Sequence, residues 1–277
     1  MPELPEVEMC RRFLAQWGAG KRIEDVIADD DSAIRTHLST KPSDAVPGGL
    51  NKLQDALVGQ VAGEPIRLGK RLGWPIGTHG LMLHLGMTGR WRTATQAPRW
   101  GRLGLHFEGG QTAWFIDPRR FGCVALVDGS QMLELLGAGL GPDALIEPPT
   151  GGQLAAALRG KRALKVALLD QRIVAGLGNI HAVEALWRAG IHPAIPCNAL
   201  TAAAADALAL AIPKQLNWAL QEQGGDEDLV YVTDGGDNPF AVYGKEKEPC
   251  SKCGTAIEKS VMGGRSTFWC PSCQPIS

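Results

Sequence analysis

Removal of Met1 from the opening Met1-Pro2-Glu3-Leu4-Pro5-Glu6 would expose a secondary amine on Pro2 with a carboxylate beside it. An α-amino group titrates near ~7.7 against ~10.4 for lysine, so far more of it is unprotonated at neutral pH. Attack on a carbonyl-like carbon would give an iminium ion, an electron sink for later eliminations. Glu3 is the adjacent group able to move protons. Pro5, Glu6 and Glu8 also read as an ordinary helix start, with proline in the first turn and acids at the positive end of the dipole. That reading accounts for Pro5 and the acids and leaves Pro2 unexplained.

A second constellation closes the chain: Cys250-x2-Cys253-x16-Cys270-x2-Cys273. Two such pairs offer four thiolates to one tetrahedral zinc ion and leave no open position, so the spacing predicts a single structural Zn2+. So short a module has no core of its own, and the metal would supply its folding free energy. Disulfides are the alternative. Against them stand Cys10, Cys123 and Cys197, which sit alone among apolar residues as buried thiols do, and the expected absence of a signal peptide.

The elements between must position these groups. Val7, Cys10, Phe13, Leu14 and Trp17 recur at helical spacing until Gly18 and Gly20, predicting a first helix that holds the amine at a fixed place. Residues 21–28 alternate as a strand, and 29–49 read as a polar excursion with room for a short helix. Strand-like runs at 61–68, 71–76, 80–85, 102–107, 111–116 and 122–127 predict an antiparallel sandwich or barrel. Lys70 falls at a junction between two of them, where a lysine is ordinarily solvated. Two glycine-bordered turns, His84–Gly89 and Asp117–Gly122, present Met87 and Phe121 beside basic residues. Such side chains usually turn inward. With Arg119 they also have the make-up of a wedge that opens stacked bases.

From residue 137 the composition changes. Residues 137–152 form a Gly/Pro-rich linker, and helices are predicted at 153–159, 162–173, 180–189 and 200–222, with Pro213 kinking or breaking the last. The turn Ala175-Gly176-Leu177-Gly178-Asn179 is either a plain helical hairpin or a backbone approach to phosphate with Asn179 capping the next helix. Residues 223–244 have the composition of a loop. The expected divisions are 1–136, the linker, a helical domain over 153–244 and a finger over 245–277, with Arg265 at the finger's hairpin tip.

Hydrophobic residues make up 44% and charged residues 21%, enough for a sizeable core, and no apolar run nears the ~20 residues of a membrane span. A net charge of −1 argues against a nucleic-acid partner. Its distribution argues the other way: from Arg67 to Arg120 nine basic residues face two acidic ones, while Asp29-Asp30-Asp31 and Asp226-Glu227-Asp228 restore neutrality. A solvated face is the alternative.

The opening Met1–Glu8, His84-Leu85-Gly86-Met87, Asp117–Gly122, Ala175–Asn179 and the four-cysteine finger, in this order, resemble the formamidopyrimidine-DNA glycosylase / endonuclease VIII family over nearly the whole chain. The resemblance implies an α+β multidomain fold: an N-terminal antiparallel β-sandwich with a first helix carrying the N-terminus, a helical helix–two-turn–helix domain, a C-terminal β-hairpin zinc finger, and a DNA cleft between domains. It also implies a bifunctional DNA glycosylase and abasic-site lyase. Pro2 would attack C1′ of a damaged nucleotide, Glu3 would carry protons, Lys70 would assist base loss or β-elimination, and Arg265 would grip phosphate and serve δ-elimination. Asn179 would hold a flanking phosphate, and Met87, Arg119 and Phe121 would fill the gap left by the extruded base. Lys161, Arg102 and Trp100 complete the expected DNA-contact set. The implied partner is damaged double-stranded DNA, met by a monomer in a bacterial, nucleoid-containing cytoplasm.

The Pro2–Glu8 spelling with Arg119 and Phe121 points to oxidised purines, 8-oxoguanine and formamidopyrimidines. Leu169-Asp170-Gln171, Ile257-Glu258-Lys259 and Phe268-Trp269-Cys270-Pro271 look more like the oxidised-pyrimidine branch. Trp100 and Arg102 stand where the purine branch often has histidines, and the lesion-capping loop 224–240 is short. A catalytically silent binder of damaged DNA would keep the wedge and clamps without the nucleophile. A zinc-finger regulator would need a base-reading helix, which nothing here resembles.

Overall fold

The computed structural model describes residues 2–222 and 238–276. It divides into two compact units, Met1–Ala138 and Gly139–Ser277. In the first unit α1 (Leu4–Gly18) is followed by β1 (Ile23–Ile27), α2 (Gly49–Leu57), β2 (Ile66–Leu68), β3 (Arg71–Ile76), β4 (His79–His84), β5 (Arg90–Thr93), β6 (Gly101–Phe107), β7 (Gln111–Ile116), β8 (Cys123–Asp128) and α3 (Met132–Gly137).

These strands make two four-stranded antiparallel sheets, ordered β1-β6-β7-β5 and β2-β3-β4-β8. Their apolar positions meet in one core: Ile23, Val26, Leu103, Leu105 and Phe107 from one sheet, Leu72, Trp74, Leu81 and Leu83 from the other. The same core takes the stripe of α1, Val7, Cys10, Leu14 and Trp17. At the end of α1, a Cβ on Gly18 would come within 2.6 Å of the Phe107 ring and 2.8 Å of Trp74, one residue from each sheet. Only glycine lets the helix approach so closely. The nucleophile-bearing helix is thereby fixed to both sheets.

Strand lengths differ from the sequence reading where turns intrude. The run 61–68 yields only β2, since Gly63 and Pro65 interrupt it and Val61 and Ala62 make isolated bridges. Both α2 and β5 escaped the sequence reading. The first begins where the polar excursion ends and buries little beyond Gly49, Leu53 and Leu57, and the second buries only Trp91 among two arginines and a threonine.

The second unit contains α4 (Gly151–Ala157), α5 (Leu164–Leu168), α6 (Asn179–Ala189), α7 (Ala202–Glu222), β9 (Glu258–Met262) and β10 (Arg265–Trp269). The expected helix 162–173 shrinks to α5, because Asp170 caps a turn by accepting from Arg172 N at 3.1 Å. α7 continues through Pro213, its buried stripe of Leu208, Ile212, Leu216 and Ala219 holding it together. The hairpin β9–β10 packs on α6 through Val183, Trp187, Ile257 and Phe268. Residues 224–237 of the expected lesion-capping loop lie outside the described residues. Among the described residues no helix is long and apolar enough to cross a membrane.

Candidate active site

Glu3 is the N-cap of α1 and is 3% exposed. A capping box surrounds it: the Glu3 carboxylate accepts from Glu6 N, and Glu6 Oε2 accepts from Glu3 N at 2.7 Å. Two orphan donors are satisfied reciprocally, so the residue that follows Pro2 has a fixed main chain. Pro2 is half-buried at this helix start.

Sequence reasoning treated Glu6 and Glu8 as dipole acids, and both have further roles. Glu6 is 1% exposed, and burial, with the Glu3 charge next, pushes its carboxyl up to about 8. It carries a proton at neutral pH. Glu8 is pushed up by burial, but hydrogen bonds from Arg11, Arg12 and Arg67 outweigh this and hold it below the ordinary carboxylate range. Arg67, 1% exposed, donates through Nε to Glu8 Oε2 at 3.1 Å and through a terminal nitrogen to the Gly69 carbonyl at 3.0 Å. Gly69 (φ +58°) and Lys70 form the two-residue turn between β2 and β3. Lys70 is thus tied, through one buried guanidinium, to the helix that carries Pro2 and Glu3.

The two glycine-bordered turns are brought together by Asp117, which is fully buried. Its Oδ1 accepts from Thr88 Oγ at 2.6 Å and Arg119 N at 3.2 Å, and its Oδ2 from Gly122 N at 2.7 Å. Gly86 has φ +63°, and a Cβ there would sit 2.4 Å from Gly122 N. Met87 is 43% exposed, and the exposed Arg119 lays its guanidinium 4.9 Å from the centre of the Phe121 ring. Arg102 Nε donates to the Asp117 carbonyl at 2.9 Å, so this side chain braces the turn. Trp100 stands beside it with φ +64°, 42% exposed, its carbonyl accepting from Asp117 N at 3.1 Å and its ring covered by Arg99 at 4.2 Å.

In the second unit Gln171 shapes the glycine turn, donating to the Leu169 and Leu177 carbonyls and accepting from Gly176 N at 2.9 Å. The expectation that Asn179 caps α6 is corrected. Gly178 is the N-cap, and Asn179 opens the helix with its Nδ2 donating to the Ser266 carbonyl at 2.9 Å. The reason is tertiary: the finger hairpin supplies an acceptor that draws the amide away from its own helix. This contact brings Asn179 next to Arg265, which is exposed at the start of β10 after the Gly263-Gly264 tip. Lys161 is exposed in the connection between α4 and α5, away from that pair in sequence and without a recorded bond to either.

Glu184 is a further residue that sequence reasoning missed. Fully buried on α6, its carboxylate accepts from the main-chain N–H groups of Ala241, Val242 and Tyr243 at 2.8–2.9 Å. It anchors the strand of chain leading into the finger.

The four finger cysteines place their sulfurs within 4.8 Å of one another. A tetrahedral zinc with bonds of ~2.3 Å needs sulfurs ~3.8 Å apart. The observed pairs at 3.4, 3.5 and 3.9 Å fit that donor set.

Comparison with known proteins agrees with this geometry. Residues 1–124 match the formamidopyrimidine-DNA glycosylase N-terminal domain, 140–229 its H2TH domain, and 247–276 the zinc finger found in FPG and IleRS. A formamidopyrimidine-DNA glycosylase of Bdellovibrio bacteriovorus is 38% identical over 99% of this chain and 100% of its own length. Among solved structures, MutM in complex with carbocyclic 8-oxo-G containing DNA superposes with a TM-score of 0.83 at 34% identity, covering 99% of this chain and 100% of that one. The wild-type Lactococcus lactis Fpg with DNA containing an oxidised pyrimidine gives 0.84 at 33% identity, with the same coverage.

Proposed function

The chain belongs to the formamidopyrimidine-DNA glycosylase family and is a base excision repair DNA glycosylase, and from that premise we propose that it excises oxidised purines through Pro2 and then nicks the strand. The observation that carries this is the built start of α1: a half-buried Pro2 ahead of a main chain fixed by the Glu3–Glu6 capping box. Lyase activity is typical of the family. The Pro2 nitrogen forms a bond to C1′ as the bond from C1′ to the base breaks, and the base leaves with a proton. The C1′–O4′ bond then opens, O4′ taking a proton, to give the iminium. Loss of a C2′ proton breaks the 3′ C–O bond, loss of a C4′ proton breaks the 5′ C–O bond, and water releases the sugar fragment from Pro2.

Glu3 is the proton carrier beside the amine. Because Glu6 keeps its proton at neutral pH, the amine faces one carboxylate charge instead of two. A second charge would raise the amine's pKa and leave less of it nucleophilic. Lys70, fixed by Arg67 to the same helix, assists base loss or β-elimination. Asn179 and Arg265 grip a phosphate, with Lys161 adding charge nearby in the bound state. Arg265 serves the second elimination. Met87, Arg119 and Phe121 occupy the space of the extruded nucleotide, which offsets the few kcal/mol lost in unstacking it. Trp100 lies against the DNA, and Arg102 acts by holding the wedge turn. Cys250, Cys253, Cys270 and Cys273 hold one structural zinc ion, which keeps the finger folded. The partner is damaged duplex DNA, approached by a monomer in the bacterial cytoplasm.

Borohydride reduction during reaction with lesion-bearing duplex should cross-link protein to DNA through the N-terminus. A variant with Gly-Ser placed before Pro2 should bind DNA and fail to cross-link. Cross-linking by that blocked variant would sink the mechanism, and an intact mass retaining Met1 would favour a silent binder. A second reading, oxidised pyrimidines, is favoured by Leu169-Asp170-Gln171, where Gln171 shapes the glycine turn. Single-turnover cleavage of 8-oxoguanine and thymine-glycol duplexes decides between them.

A further inference from the structure

The polar excursion at residues 29–49 docks where the wedge turn Asp117–Gly122 runs into β8. Ile34 bridges Val124 on β8, and Arg35 N donates to the Val124 carbonyl at 2.9 Å. The Arg35 side chain is 1% exposed. It donates to three main-chain carbonyls, those of Ser39, Ser32 at 3.4 Å and Arg120 at 2.9 Å. None of these acceptors is a carboxylate. A guanidinium held out of water on main-chain carbonyls, with only the Cys123 thiol beside them and no carboxylate, is costly, and an apolar side chain would fill the same space at less cost.

The Arg120 carbonyl belongs to the peptide plane that enters Phe121. The plane that leaves Phe121 is pinned separately, by Gly122 N donating to Asp117 at 2.7 Å and by Gly86, where a Cβ would lie 2.5 Å from the Phe121 carbonyl carbon. Phe121 therefore hangs between two fixed peptide planes, one of them set from outside the turn. Arg120 also has φ +58°, which L residues adopt reluctantly. Its guanidinium is held by Asp30 Oδ2 at 2.7 Å and Ser32 Oγ at 2.8 Å. The excursion thus grips both the main chain and the side chain of the residue before Phe121.

We propose that Arg35 is a positioning residue that sets the direction in which Phe121 and Arg119 project, and so controls extrusion of a base from the duplex and not the chemistry at Pro2. This rests on the wedge role given above to Phe121. The test compares single-turnover cleavage of two substrates by the full, zinc-loaded chain. One is the lesion duplex that the unsubstituted protein cleaves faster, and the other is a preformed abasic site in single-stranded DNA, which has no stack to open. Arg35→Met should slow the duplex reaction about 10-fold or more and change the single-strand reaction less than about 2-fold, per molecule able to form the borohydride cross-link. Arg35→Lys, able to reach one carbonyl but not three, should fall between. Asp30→Ala, at an exposed position, should shift the ratio in the same direction by about 3-fold and decides the matter if Arg35→Met does not fold.

Equal slowing on both substrates, or no change on either, overturns the proposal, because a merely structural role has no reason to distinguish them. Phe121→Ala separates this failure from that of the underlying reading. If Phe121→Ala cleaves the duplex at the unsubstituted rate, the wedge role falls and the proposal with it. If Phe121→Ala is slow while Arg35→Met is not, the proposal alone is overturned.

Discussion

Glu6 shows at the scale of one residue how burial changes a side chain's meaning. Its carboxyl moves from the ordinary 4.5 up to about 8 because it is desolvated against the Glu3 charge. A folded-state pKa above the unfolded value means the folded protein keeps the proton longer. The associated stability is fully present below about pH 4.5 and is lost as pH rises through about 8. Glu6→Gln keeps the acceptor for Glu3 N without the titration. We expect thermal unfolding of the unsubstituted chain to fall across that window by an amount on the order of a few kcal/mol, with the variant's profile flatter. Parallel profiles would mean that Glu6 is not the titrating group.

At the scale of elements, the two wedge turns act as one piece. Their glycines were legible as turn punctuation, yet their partners were not, because Thr88 and Asp117 lie far apart in sequence and meet only through the pairing of β5 with β7. Gly86 is the tightest point. Gly86→Ala would place a Cβ 2.4 Å from Gly122 N in a backbone with φ +63°. The expected cost is about 2–3 kcal/mol in chemical unfolding, with duplex cleavage falling further than cleavage of a single-stranded abasic site. A variant as stable as the unsubstituted chain would contradict the packing described here.

At the scale of the whole molecule, the finger depends on its metal and the first unit does not. The finger's apolar residues Ile257 and Phe268 reach a core only by joining Val183 and Trp187 of α6. Chelation should therefore expose 245–277 to proteolysis and abolish DNA binding, while a fragment near residues 1–138, with its own sandwich core, resists. Simultaneous loss of both units would count against this division. Charge is the other whole-molecule property. Affinity for lesion duplex should fall steeply with salt, and Arg265→Ala should reduce the slope by about 1. A flat dependence in the unsubstituted chain would remove phosphate contacts as the basis of binding.

What the sequence by itself determined was what local chemistry can encode. The Pro2-Glu3 opening, the cysteine spacing, the helical stripe of α1 and the strands β3 and β7 are each written within a few adjacent residues or one period. The tertiary structure decided everything that needs two distant segments in contact. It turned Glu6 into a protonated acid and linked Lys70 to α1 through Arg67 and Glu8. It drew Asn179 from a cap to the Ser266 carbonyl, and it made the excursion around Arg35 a support for Phe121. Burial and hydrogen-bond partners are properties of where chains meet, and no local pattern records that.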